Sequence, residues 1–221
     1  MEFKRWKNLS EIIPEPIEFF VQEFFKREPI FLEIEEFAKE NKVPILLPSS
    51  AILLRFLVSA LKPKKILEIG TGIGYSTLHM FFANKKSQIT TVDVNRKRTE
   101  IARRFFEKAK AYIEILEEDA FDVVRKFLAE DEKFDLIFVD VGKSEYVFFN
   151  YKVQALLTEK GIVIFDNVLF RGYVATDDVP QKYVRSINLL KKFLEDIKEY
   201  PNFESFLVPV GDGLLILKSV C

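Results

Sequence analysis

The sequence predicts an α/β fold: a doubly wound, seven-stranded and mostly parallel sheet whose last strand runs antiparallel, preceded by N-terminal helices. Three observations carry that prediction. From Lys64 onward, short β-branched runs alternate with helical segments, the pattern of a parallel sheet covered on both faces. The first of these runs enters a turn with glycine at every second position and then a helix. The last two runs are separated only by Pro209, Val210, Gly211 and Asp212, a connection short enough for an antiparallel hairpin.

Along the chain, Ile17, Phe20, Val21, Phe24 and Phe25 have helical spacing, and Ile30, Ile34, Phe37 and Ala38 repeat it after Pro29. A third helix runs from Ser49 to Leu61, started by Pro48 and Ser49 and stopped by Pro63. The expected strands are Lys65 to Ile69, Gln88 to Asp93, Tyr112 to Leu116, Phe134 to Asp140 and Gly161 to Asp166, then Phe203 to Val208 and Gly213 to Lys218. Between them the spacing predicts helices at Tyr75 to Ala83, Asn95 to Lys110, Ala120 to Ala129, Ser144 to Leu157 and Val179 to Tyr200. At 221 residues and 48% hydrophobic the chain suits one sizeable core, so residues 1–221 are expected as a single domain with 1–48 as a helical extension.

The charges exclude several function classes. Lys and Arg number 33 against 34 Asp and Glu, a formal net charge of -1, so no global basic field draws nucleic acid and any RNA contact must be local. The single cysteine, Cys221, excludes an intrachain disulfide framework and a Cys-rich zinc site, which fits a reducing cytoplasm. No stretch reaches the roughly 18 apolar residues of a membrane span, so no membrane partner is expected. The Phe-rich N-terminal helices read as packing surfaces, against the sheet or in a homodimer.

In Glu68-Ile69-Gly70-Thr71-Gly72-Ile73-Gly74-Tyr75-Ser76 a buried strand runs through glycines that permit positive φ and close ligand approach, onto a helix N-terminus with free N–H groups. Dinucleotide folds use such a turn too. The spacing here is G-x-G-x-G, and Glu68 just before it suits the ammonium of an amino-acid ligand and would repel a pyrophosphate. Asp93 ends the second strand, where a carboxylate accepts ribose hydroxyls, and Asp119 with Ala120 follows the third, where it meets an adenine amino group or merely caps a helix. Amine, ribose and adenine together describe S-adenosylmethionine.

Lys65 to Met80, Phe134 to Tyr146, Gly161 to Gly172 and Val208 to Leu217 resemble the metal-dependent class I O-methyltransferases, which include catechol and caffeoyl-coenzyme A O-methyltransferases and have a Rossmann-like fold. The resemblance runs from about Val43 to the end and implies cofactor contacts at Val43, Glu68, Gly70, Gly72, Gly74, Tyr75, Ser76, Asp93, Asp119, Ala120 and Asp140. It also implies a metal at Asp140, Asp166 and Asn167, with Asp140 and Lys143 catalytic and Lys143 as general base; the alternative for Lys143 is a solvated surface lysine. Two carboxylates and an amide oxygen without His or Cys are hard ligands that suit Mg²⁺, with Mn²⁺ or Ca²⁺ as substitutes. His79, inside the helix after the glycine turn, is expected to be neither ligand nor base.

Asp166 to Ala175 and Val208 to Leu214 are similar to the bacterial branch that methylates wobble 5-hydroxyuridine in tRNA, with catechol-like small molecules as the alternative acceptors. Basic clusters at Lys4, Arg5, Lys7, at Arg96, Lys97, Arg98 and at Lys182, Arg185 are candidate phosphate contacts or solvated faces, and Arg171 is the residue expected at the pocket rim toward RNA. Two readings of other classes stand beside these. A nicotinamide oxidoreductase leaves Asp140, Asp166 and Asn167 without a task, and a non-catalytic binding module has no need of them. The sequence departs from the family pattern at Val141-Gly142, at Glu118 and in a shortened loop before Tyr112.

Overall fold

The computed structural model describes residues 12–13, 15–143 and 145–220. Lys4, Arg5, Lys7, Ser144 and Cys221 lie outside the described residues. Helices α1 (Glu15–Phe24), α2 (Pro29–Asn41) and α3 (Pro48–Leu61) come first. Pro29 and Pro48 open α2 and α3, where the fixed φ of proline suits a helix start and its missing N–H has no partner to lose. Seven strands follow: β1 (Lys65–Ile69), β2 (Gln88–Val92), β3 (Glu114–Leu116), β4 (Phe134–Val139), β5 (Leu157–Phe165), β6 (Phe203–Val208) and β7 (Leu214–Ser219). The helices between them are α4 (Tyr75–Ala83), α5 (Arg96–Lys108), α6 (Ala120–Ala129), α7 (Tyr146–Ala155) and α8 (Val184–Lys198).

The sheet order is β3-β2-β1-β4-β5-β7-β6. The pairs among β1 to β5 are parallel, while β7 lies antiparallel between β5 and β6. This is the expected doubly wound sheet with its last strand reversed. Because β1 and β4 are central and buried on both faces, their residues alternate between two cores rather than between core and water. Ile66, Leu136, Phe138 and Ile164 pack beneath α2 to α5. Leu67, Ile137, Val139 and Val163 pack beneath α6 to α8. Phe31, Ile34 and Ala38 of α2 are fully buried in the first core, so α2 and α3 are part of it and not an appendage. On α1, by contrast, Phe20 and Phe24 stay exposed.

Several element boundaries differ from expectation, and three of them have a clear consequence or cause. Strand β3 begins at Glu114, leaving Tyr112 on the surface. Strand β5 begins at Leu157, because Leu157 pairs with Phe134 before a register shift brings Ile162 opposite Leu136. The helix expected from Val179 begins only at Val184, after a 3-10 turn at Gln181–Tyr183. Pro180 accounts for this, since its ring disfavours helical backbone in the residue before it. No helix of the described residues is long and apolar enough to cross a membrane.

Candidate active site

A cleft of about 600 Å³ opens beyond the carboxyl ends of β1, β2, β4 and β5, where a doubly wound sheet places its ligands. Its floor is the glycine turn. Gly70 has φ +107°, and a Cβ there would overlap the carbonyl of Asp140, so only glycine lets β1 and β4 end this close together. Gly72 has φ +54° and nothing within 4 Å of a Cβ position, so its open side is free for a ligand. Gly74 has φ +84° and lies against the Phe106 ring of α5.

Asp93 fixes that turn: one carboxylate oxygen accepts the Gly72 N–H at 2.8 Å and the other the Asn95 N–H at 2.8 Å. Asp119 accepts the Phe121 N–H at 2.8 Å as the cap of α6 and still lines the cleft, so the capping and ligand-facing roles coexist. Gly70, Gly72, Asp93, Asp119, Ala120, Asp140, Lys143, Asn167 and Arg171 all face one cavity. The sequence named each of them.

Val43, Glu68, Gly74, Tyr75, Ser76 and Asp166 stand behind the wall instead. Glu68 is fully buried and accepts hydrogen bonds from the hydroxyls of Ser76, Thr77 and Thr91. Burial pushes its carboxyl up to about 7 against those three bonds, with the Asp140 charge adding to the rise. Tyr75 donates its hydroxyl to Glu35 of α2, which also pairs with Arg27. Val43 packs on the first core, and its neighbour Pro44 reaches the cleft. His79 is fully buried, stacked on Phe31 at 3.8 Å, with no hydrogen bond to either ring nitrogen, and burial holds it well below the usual imidazole range. It is a core residue.

Toward the other end, Val139 and Phe165 are register partners, so Asp140 and Asp166 leave adjacent strands side by side. Asn167 has φ +59° and its amide donates to the Asp166 carboxylate. Lys143 Nζ donates to the Tyr146 hydroxyl at 3.4 Å, and that hydroxyl donates to the Asp166 carbonyl. Lys143 is therefore tethered to the loop that carries Asp166 rather than free in solvent. The donor set of Asp140, Asp166 and Asn167 suits a hard divalent cation in its chemistry, with Asp140 and Asn167 on the cleft wall and Asp166 buried beside them.

The sequence did not single out Pro44, Arg98, Phe121, Glu145, Phe149, Phe170 or Asp212 as site residues, yet all of them line the cleft. Arg98, read there as a phosphate contact, faces this cavity, and Arg96 beside it pairs with Glu117. Asp212, on the turn between β6 and β7, accepts the backbone N–H of Arg171, and its carbonyl accepts the Leu169 N–H at 3.0 Å. Five acids (Asp93, Asp119, Asp140, Glu145 and Asp212) line the cavity against the three cations Arg98, Lys143 and Arg171. Such a surface suits a cationic ligand.

The model of a family described as O-methyltransferase matches residues 26–220. Caffeoyl-CoA O-methyltransferase 5 of Nicotiana tabacum is 32% identical over 177 residues, covering 76% of this chain and 73% of that protein. Caffeoyl-CoA O-methyltransferase 1 of Arabidopsis thaliana is 29% identical over 208 residues, 89% of this chain and 80% of its own length. Among solved structures, a putative caffeoyl-CoA O-methyltransferase from Staphylococcus aureus superposes with TM-score 0.80 at 26% identity, over 87% of this chain and 93% of that one. The S-adenosylhomocysteine-bound methyltransferase PaMTH1 of Podospora anserina shares the fold at TM-score 0.81 and 23% identity, over 94% and 95%.

Proposed function

Since this chain belongs to the O-methyltransferase family, we propose that it transfers the methyl group of S-adenosylmethionine to the 5-hydroxyl of wobble 5-hydroxyuridine in tRNA, with the help of a divalent cation at Asp140, Asp166 and Asn167. The observation that carries the reading is the cavity beyond the ends of β4 and β5, which Asp140, Lys143, Asn167, Phe170 and Arg171 line together. Mg²⁺ is the cation the donor set suits best, with Mn²⁺ or Ca²⁺ as substitutes. When bound, the cofactor offers an electrophilic methyl group and the cation makes a chelated hydroxyl more acidic.

The chain's own groups do the rest. The glycine turn and Asp93 hold the cofactor end, and the β4 and β5 ends hold the acceptor end, so the reacting atoms are brought into line by rigid strand termini. Lys143 Nζ, fixed by Tyr146, receives the proton of the acceptor hydroxyl. Phe170 supplies an aromatic wall for a planar ring. In 5-hydroxyuridine the 5-hydroxyl adjoins the C4 carbonyl, which gives the pair of adjacent oxygens that a chelating site needs. The same pair exists in a catechol, and the likeness to caffeoyl-CoA O-methyltransferases favours a catechol-like small molecule as the second reading.

Exposed Phe20 and Phe24 on α1 support a homodimer, checked by sedimentation. The acceptor is tested by transfer of labelled methyl from the cofactor into tRNA carrying 5-hydroxyuridine and into a catechol panel. Label in the tRNA at the wobble position is expected. Robust methylation of free catechols with none of the tRNA would return the chain to the small-molecule reading.

A further inference from the structure

Arg171 is a half-buried cation that forms no ion pair among the described residues. Its backbone N–H is taken by Asp212, and its guanidinium reaches only the Tyr183 hydroxyl at 3.4 Å and the faces of Phe170 at 6.0 Å and Tyr183 at 5.6 Å. Lys182, an exposed residue, places its Nζ 4.7 Å from the Tyr183 ring centroid and forms no ion pair among the described residues. Two cations thus meet at one phenol, Arg171 at its oxygen and Lys182 beside its ring, and the Lys182 ammonium and then the Arg171 charge hold it below its usual range. A phenol neutralises neither charge. The nearby acid Asp177 approaches Lys191 instead, at 3.9 Å.

The backbone beneath this arrangement is strained. Phe170, Arg171 and Gly172 have φ of +40°, +61° and +79° in succession, a left-handed run that side chains other than glycine rarely adopt. The Asp212 carboxylate and carbonyl hold that run in place. Retained strain at a cleft wall points to a role for what it presents, and it presents Arg171 to the cavity. The position relative to the chemistry is also bounded. Lys143 Nζ and Arg171 Cζ each lie 6.0 Å from the Phe170 ring centroid, so they are at most twice that distance apart.

We infer that Arg171 and Lys182, with the Tyr183 hydroxyl between them, form an anion subsite that binds a phosphate carried by the methyl acceptor beside the ring being methylated. A planar guanidinium fork, an ammonium and a hydroxyl together match a group with several anionic oxygens better than a single carboxylate. The phosphate belongs to an RNA backbone or to a phosphorylated small molecule, and the subsite is the same for both. The inference deepens the acceptor reading, resting on this cleft as the acceptor site of an O-methyltransferase and not on uridine as the ring.

The test is binding, measured by titration calorimetry on the full chain with S-adenosylhomocysteine and Mg²⁺ present, so that turnover plays no part. Four probes are compared: 5-hydroxyuridine, its 3′-monophosphate, a catechol, and the same catechol carrying a phosphomonoester on a short side arm. The phosphate is expected to tighten binding at least about ten-fold on one ring or the other, the lower end for hydrogen bonds to charged groups. Arg171→Gln is expected to remove that gain, Lys182→Ala to reduce it severalfold and Arg171→Lys to keep part of it, with S-adenosylhomocysteine affinity unchanged as the sign of an intact fold. A gain confined to the catechol pair would keep the subsite and reject the uridine. Phosphate probes that bind no better than their parents, including all four failing to bind, or a gain that survives Arg171→Gln, would overturn it.

Discussion

Glu68 is a fully buried carboxyl held by three hydroxyls, and its replacement by glutamine has a calculable consequence. Its pKa stands at about 7 in the folded chain against an ordinary value of 4.5. A raised acid means that the native state holds the proton more tightly than the unfolded state, so stability falls as pH rises from 4.5 and the loss is complete above about 7. The full difference amounts to about 3 kcal/mol at 1.36 kcal/mol per unit. Glutamine has nearly the same shape, and its amide can donate to the hydroxyl oxygens where the carboxylate accepted. Glu68→Gln should therefore change little near pH 5 and gain on the wild type by roughly 2 to 3 kcal/mol near pH 8. Urea denaturation of both proteins, ligand-free and in chelator, measures this, and other titrating groups cancel in the difference. Parallel stability profiles for the two proteins would refute the reasoning and mean that the hydroxyls fully stabilise an ionised Glu68.

Asp93→Ala removes a carboxylate that orders Gly72 and faces the cleft, and should weaken S-adenosylmethionine binding by about 1.5 to 3 kcal/mol in a calorimetric titration; an unchanged dissociation constant would refute that role. Gly70→Ala places a Cβ on the Asp140 carbonyl at φ +107°, and should cost at least about 1 to 3 kcal/mol of stability together with cofactor affinity. Wild-type melting temperature and affinity in that variant would show that the two strand ends can separate freely. Chelator should abolish turnover and Mg²⁺ or Mn²⁺ restore it, whereas full activity in excess chelator, or in Asp166→Ala, would leave the trio a structural role only.

Local signals made much of this molecule legible. The hairpin followed from four residues between two β-branched runs, and the end of β1, the glycine turn and the start of α4 followed from the segment Glu68 to Ser76. What stayed hidden depends on distant parts of the chain meeting. Phe121 and Phe149 stack at 4.7 Å across α6 and α7 on the cleft wall, and Asp212 reaches Arg171 across 41 residues; no periodicity records either. The direction of Glu68 was hidden for another reason. A central strand buried on both faces has no solvent side, so alternation along β1 cannot tell which carboxylate lines the cavity and which lies behind it. Asp119 had two readings in the sequence, cap and ligand, because a strand-to-helix junction at the cleft satisfies both.

Strand β7 lies between β5 and β6, although it is the last of the three in the chain. Its preceding turn is tied to the molecule by bonds such as Ser50 Oγ to the Val210 carbonyl at 3.3 Å, a separation of 160 residues. The glycine turn, Asp93 and Asp119 all belong to a stretch that precedes residue 121, whereas the left-handed run at Phe170 to Gly172 rests on Asp212. During synthesis the two halves of the cleft therefore mature at different times. The donor side needs only the end of β4 to be complete once β3 and the start of α6 have left the ribosome, and the acceptor side acquires its brace only when the hairpin of β6 and β7 closes. A nascent chain cannot shape its acceptor pocket early, and damage to β7 or to the turn that carries Asp212 is expected to harm acceptor recognition before it harms the hold on the methyl donor.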